Sequence, residues 1–311
     1  MGLPVSAVYK IDQPEARQVL MDCSCAFGVF DGVHCGHRFL IESACSRARE
    51  LGIASVVLTF DIDPDERFHP DRLRKLLSNG DRIDMLAQQG VDAVVVLPFT
   101  EQFAGLAPCD FLEAVFAGNV PESLHVGSDI RFGARAAGTV ETLRSWGARS
   151  GMHVCSCDLL QVEGGPVTAT RIRKLLEKGD VAEAARLLTR PYTLHDRVVA
   201  GRGEGRDMGF RTANLIVEPA RRVLREGVYA AYAVVDGLAY KAAVSVGVSP
   251  TFKGRTDAYC EVHILDFEGD IYGQDIQVQF VHWLRPLIDF ASVDELIRTV
   301  MENIAWVREN L

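Results

Sequence analysis

The chain has 311 residues, 48% of them hydrophobic and 24% charged, with a formal net charge of −9. That length exceeds one ordinary domain of ~100–200 residues, so two domains are expected. The acidic balance argues against a nucleic-acid coat or an anionic membrane surface as main partner, because both require basic patches.

No apolar run approaches the ~18 residues that cross a bilayer. The start of the chain (MGLPVSAVYKID) lacks the basic and apolar segments of a secretory signal, so a cytoplasmic location is expected. Gly2 and Ser6 fit the short myristoylation pattern, which arises often by chance. The eight cysteines are expected as reduced thiols. Cys23/Cys25 and Cys155/Cys157 have C-x-C spacing, unlike the C-x2–4-C pairs of zinc sites, and read as small side chains sharing one strand face.

Strand-like runs and helix-period segments alternate from Cys25 to Leu160. The expected strands are Cys25–Phe30, Ile53–Phe60, Val91–Leu97, Leu124–Val126 and His153–Leu160. Between the first two, Leu40, Ala44, Ala48 and Leu51 recur at three- and four-residue steps, as in an amphipathic helix. Ile83, Leu86 and Ala87 do the same before Val91. This order predicts a Rossmann-like, doubly wound parallel sheet, with ligands at the carboxyl ends of its strands. After Tyr192 come short β-rich runs: Val228–Val235, Ala239–Val246, Ala258–Phe267 and Asp275–Val281. They predict an antiparallel sheet or a small antiparallel β-barrel. A helix from Ser292 to Leu311 follows, with an apolar stripe of Leu296, Val300, Ile304, Val307 and Leu311. The expected domains are 1–185 and 186–311.

The first chemical constellation is Gly28-Val29-Phe30-Asp31-Gly32-Val33-His34-Cys35-Gly36-His37, placed after a strand and before a helix. A helix N-terminus offers unpaired N–H groups and the positive end of a dipole, which attract phosphate. Gly36 lets a ligand approach the backbone, and the two imidazoles can donate to phosphate oxygens as charge builds in a transition state. Two histidines alone make a poor metal site.

This segment resembles the H-x-G-H signature of the nucleotidyltransferase superfamily, in which an acceptor phosphate attacks the α-phosphate of a nucleoside triphosphate directly. The resemblance implies catalysis by His34 and His37, with Gly28, Phe30, Asp31 and Gly36 at the nucleotide phosphates. Val167-Thr168-Ala169-Thr170-Arg171-Ile172-Arg173 resembles the superfamily's I-S-S-T-x-I-R segment. This implies that Thr168, Thr170 and Arg173 grip the triphosphate; Ala169 replaces a usual serine and removes one donor. Gly127, Asp129, Phe132 and Gly133, followed by Arg135 and Gly138, resemble the G-x-D-F-x-F-G…R-x-G stretch of FAD synthetases, which lines the flavin and nucleotide site. Thr59-Phe60-Asp61-Ile62-Asp63-Pro64 resembles that branch's T-F-x-P-H-P segment, with its first proline and its histidine replaced by Ile62 and Asp63.

The second constellation, Gly201 to Asn214, is a glycine-rich, donor-rich loop of the kind that binds phosphate. It resembles the G-R-x-x-G-F-P-T-A-N motif of riboflavin kinases. The implied roles are Gly209 and Thr212 at ATP phosphate, and Thr212 and Asn214 at Mg²⁺. Arg211 stands at the family's proline. Val246–Phe252 resembles the N-x-G-x-x-P-T-F segment, and Tyr259–Phe267 the V-E-x-H-I-L-D-F strand, whose glutamate is the general base. Here that is Glu261. Leu287 replaces the glutamate of the L-R-P-E stretch, and Asn303 stands where aspartate is common.

Together these segments span about residues 20–310 and resemble bacterial bifunctional riboflavin kinase/FAD synthetases. The resemblance implies ATP and Mg²⁺ as cofactors, riboflavin and FMN as substrates, and no nucleic-acid or membrane partner. Two alternatives stand beside it. One is an FAD synthetase with a weakened kinase half, motivated by Arg211, Leu287 and Asn303; the other is a non-catalytic flavin-binding regulator.

Overall fold

The computed structural model describes residues 6–70, 72–200, 210–247 and 260–311. The chain divides into two compact units. One is Met1–Leu73 with Leu77–Ala169; the other is Arg74–Leu76 with Thr170–Leu311.

The first unit is a six-stranded parallel sheet: β1 (Ala7–Lys10), β2 (Ser24–Phe27), β3 (Ser55–Phe60), β4 (Ala93–Leu97), β5 (Ser123–Gly127) and β6 (His153–Cys157), in the order β1-β4-β3-β2-β5-β6. The predicted parallel sheet is present. β1 is an edge strand that the sequence reading did not anticipate. The central strands are buried on both faces, as parallel strands must be once their crossovers cover them. Val56, Leu58, Val95 and Leu97 pack into one core with Phe111, Leu112 and Trp146. Their neighbours Val57, Val94 and Val96 pack into a second core with Ile41, Ala44 and Leu86.

The helices of this unit are α1 (Pro14–Leu20), α2 (Cys35–Leu51), α3 (Pro64–Phe68), α4 (Asn79–Ala87), α5 (Glu101–Ala104), α6 (Pro108–Phe116) and α7 (Val140–Ser150). Helix α2 carries most of the predicted stripe inward, with Leu40, Ala44 and Ala48 buried, whereas Leu51 at its last turn is exposed. It stops at Gly52, whose φ of 68° gives the left-handed cap that glycine favours. From β2 the chain winds one way to β3 and the other way to β5. Parallel sheets open a crevice at such a reversal, outside the strands' carboxyl ends.

The second unit is a closed antiparallel barrel in the order β10-β13-β12-β11-β14-β9. Its strands are β9 (Tyr192–Val199), β10 (Ala213–Leu215), β11 (Gly227–Val235), β12 (Leu238–Val246), β13 (Cys260–Ile264) and β14 (Asp275–Arg285); a small hairpin in the first unit supplies β7 (Gln161–Val162) and β8 (Gly165–Pro166). Strand β9 pairs with both β10 and β14, which closes the barrel. Alternation is visible in β13: Cys260, Val262 and Ile264 are buried, whereas Glu261 and His263 are half-exposed. Helices α8 (Ala169–Lys178) and α9 (Val181–Leu188) precede the barrel. Within this unit the Arg225 guanidinium stacks over Trp283 at 4.2 Å, and Arg225 donates to Leu176 O and Lys178 O at the end of α8. The final helix α10 (Val293–Asn310) buries Ile304 and Val307 against Ala230 and Leu265.

Candidate active sites

In the first unit a cleft of about 390 Å³ lies at the carboxyl ends of β2 and β5. Gly28, Phe30 and Asp31 enter it from the loop after β2, and His34, Gly36 and His37 from the start of α2. Gly127 and Asp129 reach it from the turn after β5, and Thr168 from the segment before α8. Residues as far apart in sequence as Gly28 and Thr168 therefore converge where the chain reverses direction across the sheet.

His34 is the N-cap of α2: its Nδ1 accepts from the His37 backbone N–H at 3.3 Å. A nitrogen that accepts carries no proton, so the neutral ring bears its N–H on Nε2. The two imidazoles stack at 3.5 Å with 18° between their planes. Burial first, and the neighbouring His34 second, push the His37 imidazole well below the usual histidine range. His37 is therefore neutral at pH 7, and its ring meets Phe30 edge-on at 5.3 Å. A side chain at Gly36 would press the His34 ring at 3.3 Å, so glycine keeps this face of the helix start open.

The loop that delivers these groups is strained. Phe30, Gly32 and Val33 have φ of 59°, 81° and 40°, and a β-branched residue rarely adopts such a value. Strain of this kind persists only where the surroundings hold it. At Gly127 a Cβ would lie 2.9 Å from Asp129 Oδ1, so glycine lets that carboxylate turn back over the strand end.

Phe132 and Gly133 do not line the cleft. Phe132 is buried in the core, 5.5 Å from the Phe111 ring. Gly133 has φ +68°, and a Cβ there would come within 2.9 Å of Pro108 Cα. They fasten the loop that carries Gly127 and Asp129. Thr170 and Arg173 stand on α8, in the second unit.

Several cleft residues escaped the sequence reading. Phe27, Phe60, Phe39 and Leu40 give it an apolar lining, and Cys157 to Leu160 close one side. Asp63, at the departure from T-F-x-P-H-P, lines the cleft and caps α3 by accepting from the Asp65 N–H. Burial, then the charges of Asp31 and Asp65, raise its carboxyl above the usual range. Arg82 was also missed. Its signal is an arginine four residues before Leu86, on the face of α4 that points inward.

In the second unit the predicted kinase residues meet across a strand pair. Asn214 on β10 stands opposite Glu261 on β13, and Glu261 stands opposite Ser245 on β12. Thr212 precedes Asn214 by two residues, the spacing that puts side chains on one strand face. Asn214 is 7% exposed. His263 Nδ1 donates to the Arg211 carbonyl at 2.9 Å, and the Phe210 ring meets His263 edge-on at 6.0 Å. Arg211 is thus held through its carbonyl, a group that proline also has. Asn303 Oδ1 accepts from Arg285 Nε at 3.4 Å. Gly209, with the rest of 201–209 and with 248–259, lies outside the described residues.

Mg²⁺ takes oxygen donors and usually keeps water and substrate phosphate in its shell, so one or two protein oxygens suffice. The Thr212 hydroxyl and Asn214 amide oxygen fit that requirement. No cluster of three His, Cys, Asp or Glu suited to a metal occurs among the described residues.

The FAD synthetase family model matches residues 16–171 and the riboflavin kinase model residues 188–311. The bifunctional riboflavin kinase/FMN adenylyltransferase of Pseudomonas fluorescens is 33% identical over 297 residues, 95% of this chain and 94% of that one. The chain belongs to the bifunctional riboflavin kinase/FMN adenylyltransferase family. The family member from Listeria monocytogenes is 33% identical over 88% of this chain and 87% of its own. A crystal structure described as a macrolide-efflux protein from Streptococcus pneumoniae shares the fold, with a TM-score of 0.83 and 31% identity over 99% of this chain and 100% of that one. Efflux is said of that protein. Among the described residues here, no helix is long and apolar enough to cross a membrane.

Proposed function

We propose that the chain carries out both reactions of its family, with adenylyl transfer in the parallel-sheet cleft and phosphorylation of riboflavin on the barrel. The observation that carries this reading is the stacked His34–His37 pair, capping α2 at the sheet's reversal point.

In the cleft, a phosphate oxygen of FMN attacks the α-phosphorus of ATP. The bond to the bridging α,β-oxygen breaks, and pyrophosphate leaves with its electron pair. No protein nucleophile is needed. The His34 Nε2–H, a neutral His37 N–H and the positive dipole end of α2 face the charge that builds on the phosphates. Gly28, Phe30, Asp31 and Gly36 shape the phosphate cradle, and Thr168 meets the triphosphate. Gly127 and Asp129 line the flavin side, with Phe132 and Gly133 bracing their loop.

On the barrel, Glu261 accepts the proton of the riboflavin 5′-hydroxyl as its oxygen attacks the γ-phosphorus, and ADP leaves. Thr212 and Asn214 would hold Mg²⁺, which neutralises phosphate charge when bound. The chain keeps Thr212, Asn214 and Glu261, which favours an active kinase half over the weakened or regulatory alternatives. A reducing cytoplasm would keep the eight cysteines as thiols. The partners are the small-molecule substrates.

Half-reaction assays test the assignment. FMN with ATP should release pyrophosphate and FAD; riboflavin with ATP should release ADP and FMN. Failure of the first with success of the second would remove the cleft assignment alone.

A further inference from the structure

We propose that Arg82 is a positioning residue for adenylyl transfer: its buried guanidinium ties the loop after β2 to the loop after β3 and so sets the wall of the cleft. Arg82 is 2% exposed, on α4. Its Nη1 donates to Val29 O at 3.0 Å and to Thr59 Oγ1 at 2.7 Å. Its Nη2 donates to Phe60 O at 2.8 Å and to Asp61 O at 3.4 Å. Val29 and Phe60 both line the cleft.

The need for this clamp follows from the sheet. The β2–β3 ladder ends at Phe27 opposite Leu58, with one further bond from Gly28 N–H to Leu58 O. Beyond that point the two chains part, and their inward carbonyls lose their ladder partners. A planar guanidinium with donors on two nitrogens can serve both chains at once, whereas an ammonium is a point donor. The chain it holds on the β2 side is the strained Phe30–Val33 loop, which ends at His34. Arg82 therefore fixes where the imidazoles start. Its charge also faces Asp63, Asp31, Asp61 and Glu66, which makes it the cation behind an acidic cleft wall.

The inference rests on adenylyl transfer occurring in this cleft; wild-type FAD formation in the same assay shows whether that premise holds. The test compares full-length Arg82→Met, Arg82→Lys and Thr59→Val with wild type, well below their melting temperatures. Arg82→Met should lower kcat for FAD formation at least tenfold and move the acidic limb of its pH profile upward, because the Asp63 carboxyl in the cleft wall, already raised by burial, loses a cation that lowers it. Arg82→Lys should recover part of kcat and restore the acidic limb. FMN formation on the barrel should stay within twofold of wild type in all variants. Thr59→Val, which at constant shape removes the hydroxyl that accepts from Arg82 Nη1 and donates to Val29 O at 3.4 Å, should lower kcat for FAD two- to fivefold and decides the matter if Arg82→Met does not fold. Wild-type kcat and pH profile in a folded Arg82→Met, or wild-type kcat in Thr59→Val where Arg82→Met is unfolded, would overturn the proposal.

Discussion

Asn214 and Glu261 stand directly opposite each other in the β10–β13 register. An amide oxygen suited to a hard cation and a carboxylate suited to proton transfer are thereby held on neighbouring strands of a closed barrel. Glu261→Gln keeps the shape and removes the base. FMN formation should fall at least ~100-fold, the usual worth of a general base, while conversion of supplied FMN to FAD stays unchanged. Chromatographic product analysis checks both.

His34 has two roles, and two substitutions separate them. His34→Ala loses both the helix cap and the donor, so stability should fall by about 1 kcal/mol as FAD formation collapses. His34→Asn can still cap α2. It should melt near wild type yet form FAD at least ~100-fold more slowly. His37→Ala spares the cap and should also lose FAD formation, with FMN formation intact in all three variants. Thermal melting and initial rates measure the difference.

Much of this was legible in the sequence because it is local. Val56–Leu58 and Ala93–Leu97 are apolar at every position, as strands covered on both faces must be. His34 and His37 are three residues apart at a helix start, so their juxtaposition is written in the spacing. What was missed is held by distant partners. β1 is mostly exposed and exists through its ladder to β4. β10 is three residues long and is defined by its pairing with β9 and β13. Arg82 reaches Val29 across 53 residues, and no helical periodicity reports that. Phe132 read as part of the cleft because its motif surrounds the cleft, but its ring serves the core.

Gly133 should behave as a structural residue. Gly133→Ala forces a Cβ against Pro108 at a left-handed φ, so the first unit should lose about 1–3 kcal/mol. At a temperature where the variant is folded, its KM for FMN should match wild type. A large rise in KM without loss of stability would instead place Gly133 at the flavin.

Acid should weaken the first unit through His125. This histidine is buried between Ser24 Oγ, 3.2 Å from Nε2, and Ser43 Oγ, 2.9 Å from Nδ1. Burial lowers it to about 4. The unfolded chain takes up the proton near 6.5 and the folded chain does not, so stability is full above 6.5 and falls as pH drops toward 4. The loss attributable to this group is roughly 3 kcal/mol at ~1.4 kcal/mol per pH unit. His37, shifted in the same direction, adds to it. Melting curves of His125→Asn from pH 7 to 4 should be flatter than those of wild type.

The most direct test is a single time course with purified protein, riboflavin, ATP and Mg²⁺, its flavins resolved by chromatography. FMN should appear first and FAD should follow, the phosphoryl transfer matched by ADP and the adenylyl transfer by pyrophosphate. Riboflavin left unphosphorylated while supplied FMN becomes FAD would contradict the claim that both halves work.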